Sequence, residues 1–418
     1  MRRQIATITD VAERHLCTGC GACAFAQPDD IVMVDDLDAG RRPVVGTGRP
    51  TDAALAVCPG IGLAHPESHP DGIIPELLAG WGPVLELWEG HATDPDVRFA
   101  ASSGGAATAL ALHGVEREGM HGVLHIRARA DAPYLNETTL SATRDELLAA
   151  TGSRYAPASP CDGLQEIVDA PSPCVFIGKP CDVGATAKAR ARDPQLDANL
   201  GLTIAIFCAG TPSTRGTLDM LERLGVADPE RLSSVRYRGN GWPGRAEAVI
   251  GTGADTERRS LSYRDSWGQL QRYRPWRCHV CIDHSGEFAD VSVGDPWYRH
   301  IEPGAVGSSL VVVRTERGRA MVHAAREAGA LEVDRVPAHI LADSQPNLLA
   351  TRGAVWGRMA ATRAVGVPTP TFDNMPTFPH WWRLSATRKL RSFTGTAKRI
   401  VSKRLYRRRP VVPWEPSR

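Results

Sequence analysis

At 418 residues the chain is too long for one ordinary core, and two or three domains are expected. Its 42% hydrophobic and 23% charged composition is that of a globular protein, which excludes disordered and fibrous classes. The net charge of +2 hides an asymmetry: Arg383 to Arg409 hold eleven Lys or Arg and no acid, whereas residues 1–382 hold 37 basic against 46 acidic side chains. No apolar run approaches the roughly 20 residues that cross a bilayer, and the opening MRRQIATITDVAERHL is too short and polar for a secretory signal. A cytoplasmic protein is expected. There, grouped cysteines point to metal or redox chemistry before disulfides.

Residues 1–75 are rich in Gly, Pro and Asp with short apolar runs, as in a small module held together by something other than a large core. Within CTGCGACAFAQP, residues 17–28, Cys17, Cys20 and Cys23 stand like the first three ligands of a bacterial ferredoxin run. Gln27 occupies the place of the fourth, which in two-cluster ferredoxins serves the other cluster. A single-cluster module needs a remote cysteine instead, and Cys58, before Pro59, fits. Zinc, which favours separated CxxC pairs, is the weaker alternative for a loop in which Gly19 and Gly21 free the amides to face sulfide.

From Trp81 onward strand and helix signals lengthen. SSGG, residues 102–105, enters an apolar helix and suits an anion at its N-terminus, although on the motif alone Ser102 or Ser103 reads first as a plain N-cap. GSRY (152–155) and GKP (178–180) add glycine loops. Together Ser102, Ser103, Gly104, Gly105, Gly152, Ser153, Tyr155, Gly178 and Lys179 are candidate cofactor contacts, without the GxGxxG fingerprint of a standard dinucleotide fold. CVFIG (174–178) and LTIAIFC (202–208) read as strands buried on both faces, each followed by a helix, which predicts an α/β core with a mostly parallel sheet. Cys181 and Cys208 lie just past those strands, where parallel neighbours release their loops on one edge. With Cys278 and Cys281 of CHVC they form a possible second quartet, open on spacing alone to zinc or to buried thiols. Cys161 and Cys174 read as filling. His279, His284 and Asp295 are candidate proton donors. Arg238 and Trp242 of YRGNGWPG read either as a loop over a planar ligand or as turn packing. Past residue 367, PTPTFDNMPTFP predicts a linker, and Leu390, Phe393, Ala397, Ile400, Val401 and Leu405 recur at helical spacing beside Lys and Arg. That tail suits a membrane surface, the acidic body of the chain or an acidic ferredoxin; no nucleic-acid-binding motif accompanies it.

In order along the chain, CTGCGAC, CPG, ASSGGAATALA, GSRYAPAS, VFIGKPCDV, FCAGTPS, YRGNGWPG, RCHVCIDHSGEFADVSVGDPW and GSSLVVVRT resemble the beta subunits of coenzyme F-420 hydrogenases and dehydrogenases, a family that includes 7-hydroxymethyl chlorophyll a reductase and ferredoxin-dependent divinyl reductases. The resemblance implies an FAD-containing oxidoreductase with two 4Fe-4S clusters, one on Cys17, Cys20, Cys23 and Cys58 and one on Cys181, Cys208, Cys278 and Cys281. Its electrons would pass between ferredoxin or the deazaflavin coenzyme F-420 and a small-molecule substrate or partner subunit. It divides the chain into a ferredoxin-like iron-sulfur module (1–75), a flavin-binding α/β domain (76–200), a family domain with the second cluster (201–366) and a linker with basic tail (367–418). Lys179 stands where the family often has threonine, and reads either as a cation near flavin or as a solvated lysine. An electron-input subunit without its own substrate site, and a zinc-stabilised binding protein, are the competing expectations.

Overall fold

The computed structural model describes residues 5–302 and 304–416. A hairpin of β1 (Ile31–Asp36) and β2 (Gly40–Val45) and three short helices make the N-terminal module. Ile8, Val11, Leu16, Ile31 and Met33 pack there directly on Cys17, Cys23 and Cys58, so its small core is built around thiols. A three-residue strand, β3 (Gly62–Ala64), leads out of it.

The body is an eight-stranded sheet. It uses β4 (Glu86–Ala92), β5 (Val123–Ala128), β6 (Asn136–Ser141), β7 (Cys174–Gly178) and β8 (Leu200–Ile206). After a separate three-stranded sheet of β9 (Leu232–Arg236), β10 (Arg245–Ile250) and β11 (Glu257–Ser262), it is completed by β12 (Val291–Gly294), β13 (Ser309–Val313) and β14 (Leu331–Arg335) in the order β14-β4-β13-β12-β8-β7-β5-β6. Both strands expected from their apolar runs form and pair in parallel. The sheet as a whole is mixed, which corrects the expectation of a mostly parallel one: only β5, β7, β8 and β12 run parallel to their neighbours, and β6, β13, β4 and β14 are added antiparallel. Alternation along each strand separates two cores. Val175, Leu202, Ile204 and Val291 meet the helices Ala106–Glu116 and Glu316–Glu327 on one face, while Phe176, Leu124 and Leu200 meet Val183, Ile167 and Leu196 on the other. An α/β fold covered on both faces results.

The proline-rich stretch expected to be a linker is tied down instead. Its β15 (Thr371–Asp373) pairs in parallel with β3. The helix Ala386–Ser402 then packs on the helix Pro346–Ala364, where Trp356, Phe378, Trp381 and Phe393 form a ring cluster. The last residues cross back over the N-terminal module. Arg409 forks onto both oxygens of Asp36 at 2.7 Å, Arg408 pairs with Asp10 and Glu13, and the Trp414 amide donates to the Asp35 carbonyl at 2.8 Å. Part of the basic tail thus docks on the acidic body.

Asp36 is 1% exposed, so Arg409→Ala leaves a buried carboxylate with backbone donors alone. Because Arg409 is itself 35% exposed, the cost falls below that of a fully buried pair, at about 1–3 kcal/mol. Thermal melting gives the magnitude. Hydrogen exchange confined to residues 5–45 shows where the loosening falls, and unchanged exchange there refutes the clamp.

Candidate functional site

Three cavities follow one another from the N-terminal module into the sheet. The first is walled by Cys17, Cys20, Cys23 and Cys58 with Ile8, Val11 and Met33. Gly19 and Gly21 take φ of +76° and +91°, and a Cβ on Gly21 would come within 2.7 Å of the Asp162 amide. These left-handed turns let one short loop present three thiols, and the Gly19 amide donates to the Cys17 sulfur at 3.3 Å. Cys58 closes the set from the end of the helix Asp52–Val57. Gln27 is a structural residue, its carboxamide bonding the Pro50 carbonyl and the Ala54 amide.

The second cavity is walled by Cys181, Cys208, Cys278 and Cys281, and also by Cys17. β7 and β8 deliver the first two at the same sheet edge, Cys181 in the opening turn of the helix Pro180–Arg190 and Cys208 just past Ile206. The Gly210 amide donates to the Cys208 sulfur at 3.3 Å, mirroring Gly19 and Cys17. Burial raises Cys17, Cys23, Cys58, Cys181, Cys208 and Cys281, with Cys58 and Cys281 pushed up to about 12 and Cys208 to about 11. Cys20 is lowered instead, by the neighbouring Cys161 thiol. Cys161 is fully buried beside it, its amide donating to the Cys20 carbonyl at 2.9 Å and its thiol to the Asp182 carbonyl at 3.4 Å. Cys174 lies in β7, fully buried in the core. Among the described residues no group of three or more His, Cys, Asp or Glu side chains is set to hold a metal ion.

The third cavity, about 330 Å³, opens at the C-terminal ends of β5, β7, β8 and β12. Ser102, Ser103, Gly105, Gly152, Ser153, Tyr155, Gly178 and Lys179 all line it. Gly104 does not: its amide donates to Ser309 Oγ and its carbonyl accepts from Ala92. Neither serine caps the helix Ala106–Glu116. Gly105 is the N-cap at φ +80°, with no side-chain cap, so the first amides of an eleven-residue helix face the cavity with the positive end of its dipole. The Ser102 hydroxyl accepts from the Ser153 amide at 2.6 Å and ties the two glycine loops together.

Opposite lies an aromatic wall that the sequence reading missed apart from Tyr155: Tyr263, Trp267 and Trp297. Tyr263 stacks on Trp297 at 5.3 Å, and the Arg238 guanidinium lies 4.8 Å and 5.1 Å from their rings. The spacing of Tyr263 and Trp267, one turn apart on a helix, was the available signal. Asp295 is on this wall, its carboxylate held by the Arg238 fork at 2.6 and 2.9 Å and by Trp242 Nε1 at 2.9 Å. Trp242 packs behind Trp297 at 5.4 Å. His279 lies outside the second and third cavities, and burial among Arg274, Arg399 and Arg358 pushes it far below the usual histidine range. His284 lines the second cavity, donates Nδ1–H to the Cys208 carbonyl at 2.8 Å and is lowered to about 4 by burial.

Lys179 and Cys208 line both the second and third cavities. The ammonium is not solvated: it sits 2.6 and 2.8 Å from the two oxygens of Asp182, which is 2% exposed. Burial alone would lower its pKa, but Asp182, Cys181 and Cys20 more than reverse this and raise it.

Two family models match the chain, both for the coenzyme F420 hydrogenase/dehydrogenase beta subunit: the one for its N-terminal part matches residues 87–165, and the one for its C-terminal part matches 173–339. The chain is 26% identical over 260 residues to coenzyme F420 hydrogenase subunit beta of Methanococcus voltae, covering 59% of this chain and 82% of that protein. It is 23% identical over 249 residues to F420-dependent formate dehydrogenase 1 subunit beta of Methanococcus maripaludis, covering 58% and 60%. A chain of the F420-reducing [NiFe] hydrogenase complex from Methanosarcina barkeri shares the fold, with a TM-score of 0.51 at 20% identity over 64% of this chain and 90% of that one. The family models span the sheet edge that carries Cys181, Cys208, Cys278, Cys281 and the large cavity, and this chain belongs to the coenzyme F420 hydrogenase/dehydrogenase beta subunit family.

Proposed function

We propose that this chain is an FAD-dependent iron-sulfur oxidoreductase relaying electrons between coenzyme F420 or ferredoxin and a substrate or partner subunit. The observation that carries the reading is the sharing of walls: Cys17 reaches into the second quartet's cavity, and Cys208 and Lys179 stand between that cavity and the large pocket.

The donor sets fit the cofactors. The first small cavity is walled by four cysteines and the second by five, Cys17 among them, and in each a glycine amide donates to a cysteine sulfur. A zinc tetrahedron needs all four donors on one centre, whereas a cubane gives each thiolate an iron of its own. Cys17, Cys20, Cys23 and Cys58 would hold one 4Fe-4S cluster and Cys181, Cys208, Cys278 and Cys281 the other. In the large pocket the amides after Gly105, with Ser103, Gly152 and Ser153, would meet a pyrophosphate, and Tyr155, Tyr263 and Trp297 flank space for a planar ring. When bound, clusters supply one-electron transfer and flavin two-electron hydride chemistry. The protein's own work is to exclude water, to place a cation, Lys179, at the junction, and to fix Arg238 through Asp295.

The named relatives are beta subunits of a coenzyme F420 hydrogenase and an F420-dependent formate dehydrogenase, which favours the deazaflavin as donor or acceptor and also supports an electron-input role within a larger assembly. Anaerobic titration separates the donors. Reduced F420 is expected to bleach the flavin absorbance of the purified protein; bleaching by reduced ferredoxin alone assigns the other carrier. Neither bleaching a flavin that dithionite reduces would refute the relay.

A further inference from the structure

The helix Ala386–Ser402 carries apolar side chains on two faces, only one of which meets the body. Ser392, Thr396 and Ile400, at i, i+4 and i+8, face the body and are buried, and Ser392 lies so close to the helix Pro346–Ala364 that a Cβ on Gly357 would come within 2.2 Å of its hydroxyl. Leu390, Ala397 and Val401, at i, i+7 and i+11, form another stripe and are exposed, Leu390 by 63% and Val401 by 69%. A helix facing water buries its aliphatic stripe and exposes its polar one. This helix buries Ile400 and packs Phe393 on the ring cluster, yet leaves a second apolar stripe, Leu390, Ala397 and Val401, outside.

The apolar stripe is continued by a second element. The helix Phe378–Trp382 exposes Phe378 and Trp382, whose rings lie 5.8 Å apart, and the Lys389 ammonium sits 4.4 Å from the Trp382 ring, joining that pair to the turn that carries Leu390. Around the patch Arg383, Arg388, Arg391, Lys398 and Arg404 are exposed, and the sequence holds no acid from 383 to 409. Whatever covers this face is negative at its surface and apolar just beneath. An anionic bilayer has that profile: its phosphates meet the flanking cations, and its acyl boundary receives Leu390, Val401 and the rings. An acidic protein would meet the cations but would need a matching apolar ridge.

We propose that the face formed by Phe378, Trp382, Leu390, Ala397 and Val401, with its ring of Lys and Arg, rests on the surface of an anionic lipid membrane. The contact is peripheral, since among the described residues no helix is long and apolar enough to cross one. The stripe is already folded and held by the body, so docking orders no new segment. It does not depend on the cofactor assignment.

Co-sedimentation of the full holo-protein with vesicles of phosphatidylcholine, alone or mixed with phosphatidylglycerol, tests this. Binding to the anionic vesicles is expected to be at least about tenfold tighter, to weaken with salt, and to fall about tenfold in Leu390→Ser/Val401→Ser. Both side chains are exposed, so that variant keeps its fold, checked by unchanged melting and iron content. Absence of a preference for anionic vesicles overturns the proposal. So does salt-sensitive binding that the double variant leaves untouched, which would mean charge alone. Capture of an acidic ferredoxin in a complex that vesicles do not compete with would assign the face to a protein and equally overturn it.

Discussion

Cys208→Ala is expected to remove half the iron, leave the flavin bound, and slow electron passage between the N-terminal cluster and flavin by more than about 100-fold, beyond the 10–100-fold of an outer-shell change. Cys208 is the one cysteine that lines both the second quartet's cavity and the large pocket. Its loss should therefore break the route at its middle while the first quartet, with its own core of Ile8, Val11 and Leu16, stays assembled. Cys174→Ala is the matched control, a fully buried thiol of β7 that lines none of the three cavities. Equal iron loss in both variants would mean that the effect is one of folding.

Lys179→Met has the second large effect, and it separates structure from electrostatics. Removing the ammonium strands Asp182, 2% exposed, without its partner, at a cost of about 3–5 kcal/mol; replacing both residues with apolar ones should recover most of it. The thermal melt of Lys179→Met beside Lys179→Met/Asp182→Leu reads this directly. The ammonium also faces Cys20, Cys181 and Cys208, so deleting a positive charge should move the reduction potentials of the neighbouring groups downward. In the double variant a net neutral pair is removed, and the potentials should return toward the parent. A stability loss with unmoved potentials would reduce Lys179 to a structural ion pair.

Much of this was legible in local sequence because the chemistry sits in short loops at strand ends. The two apolar runs before Cys181 and Cys208 fixed adjacent parallel strands, and adjacency alone brought those thiols to one edge. Cys17, Cys20, Cys23 and Cys58 line one cavity, three of them from a single short loop whose spacing is visible in sequence. Long-range pairing was not legible. β4, β13 and β14 join the sheet antiparallel from segments far apart in sequence, and no local period distinguishes such a strand from a parallel one. The serines at 102 and 103 read as possible caps, yet Gly105, with its positive φ, takes that position. Trp297 reaches the pocket wall only through tertiary packing. The tail contained two answers at once: Arg408 and Arg409 on the acids of the module, and an outward apolar stripe one helix earlier.

The central claim is that two cysteine quartets and one large pocket form a continuous redox site. Iron, acid-labile sulfide and flavin quantitation on protein purified without air tests it most directly. The account predicts about eight irons with equal sulfide, from two cubanes, and about one flavin per chain. Zinc in place of iron, with no sulfide and no flavin absorbance, would contradict it.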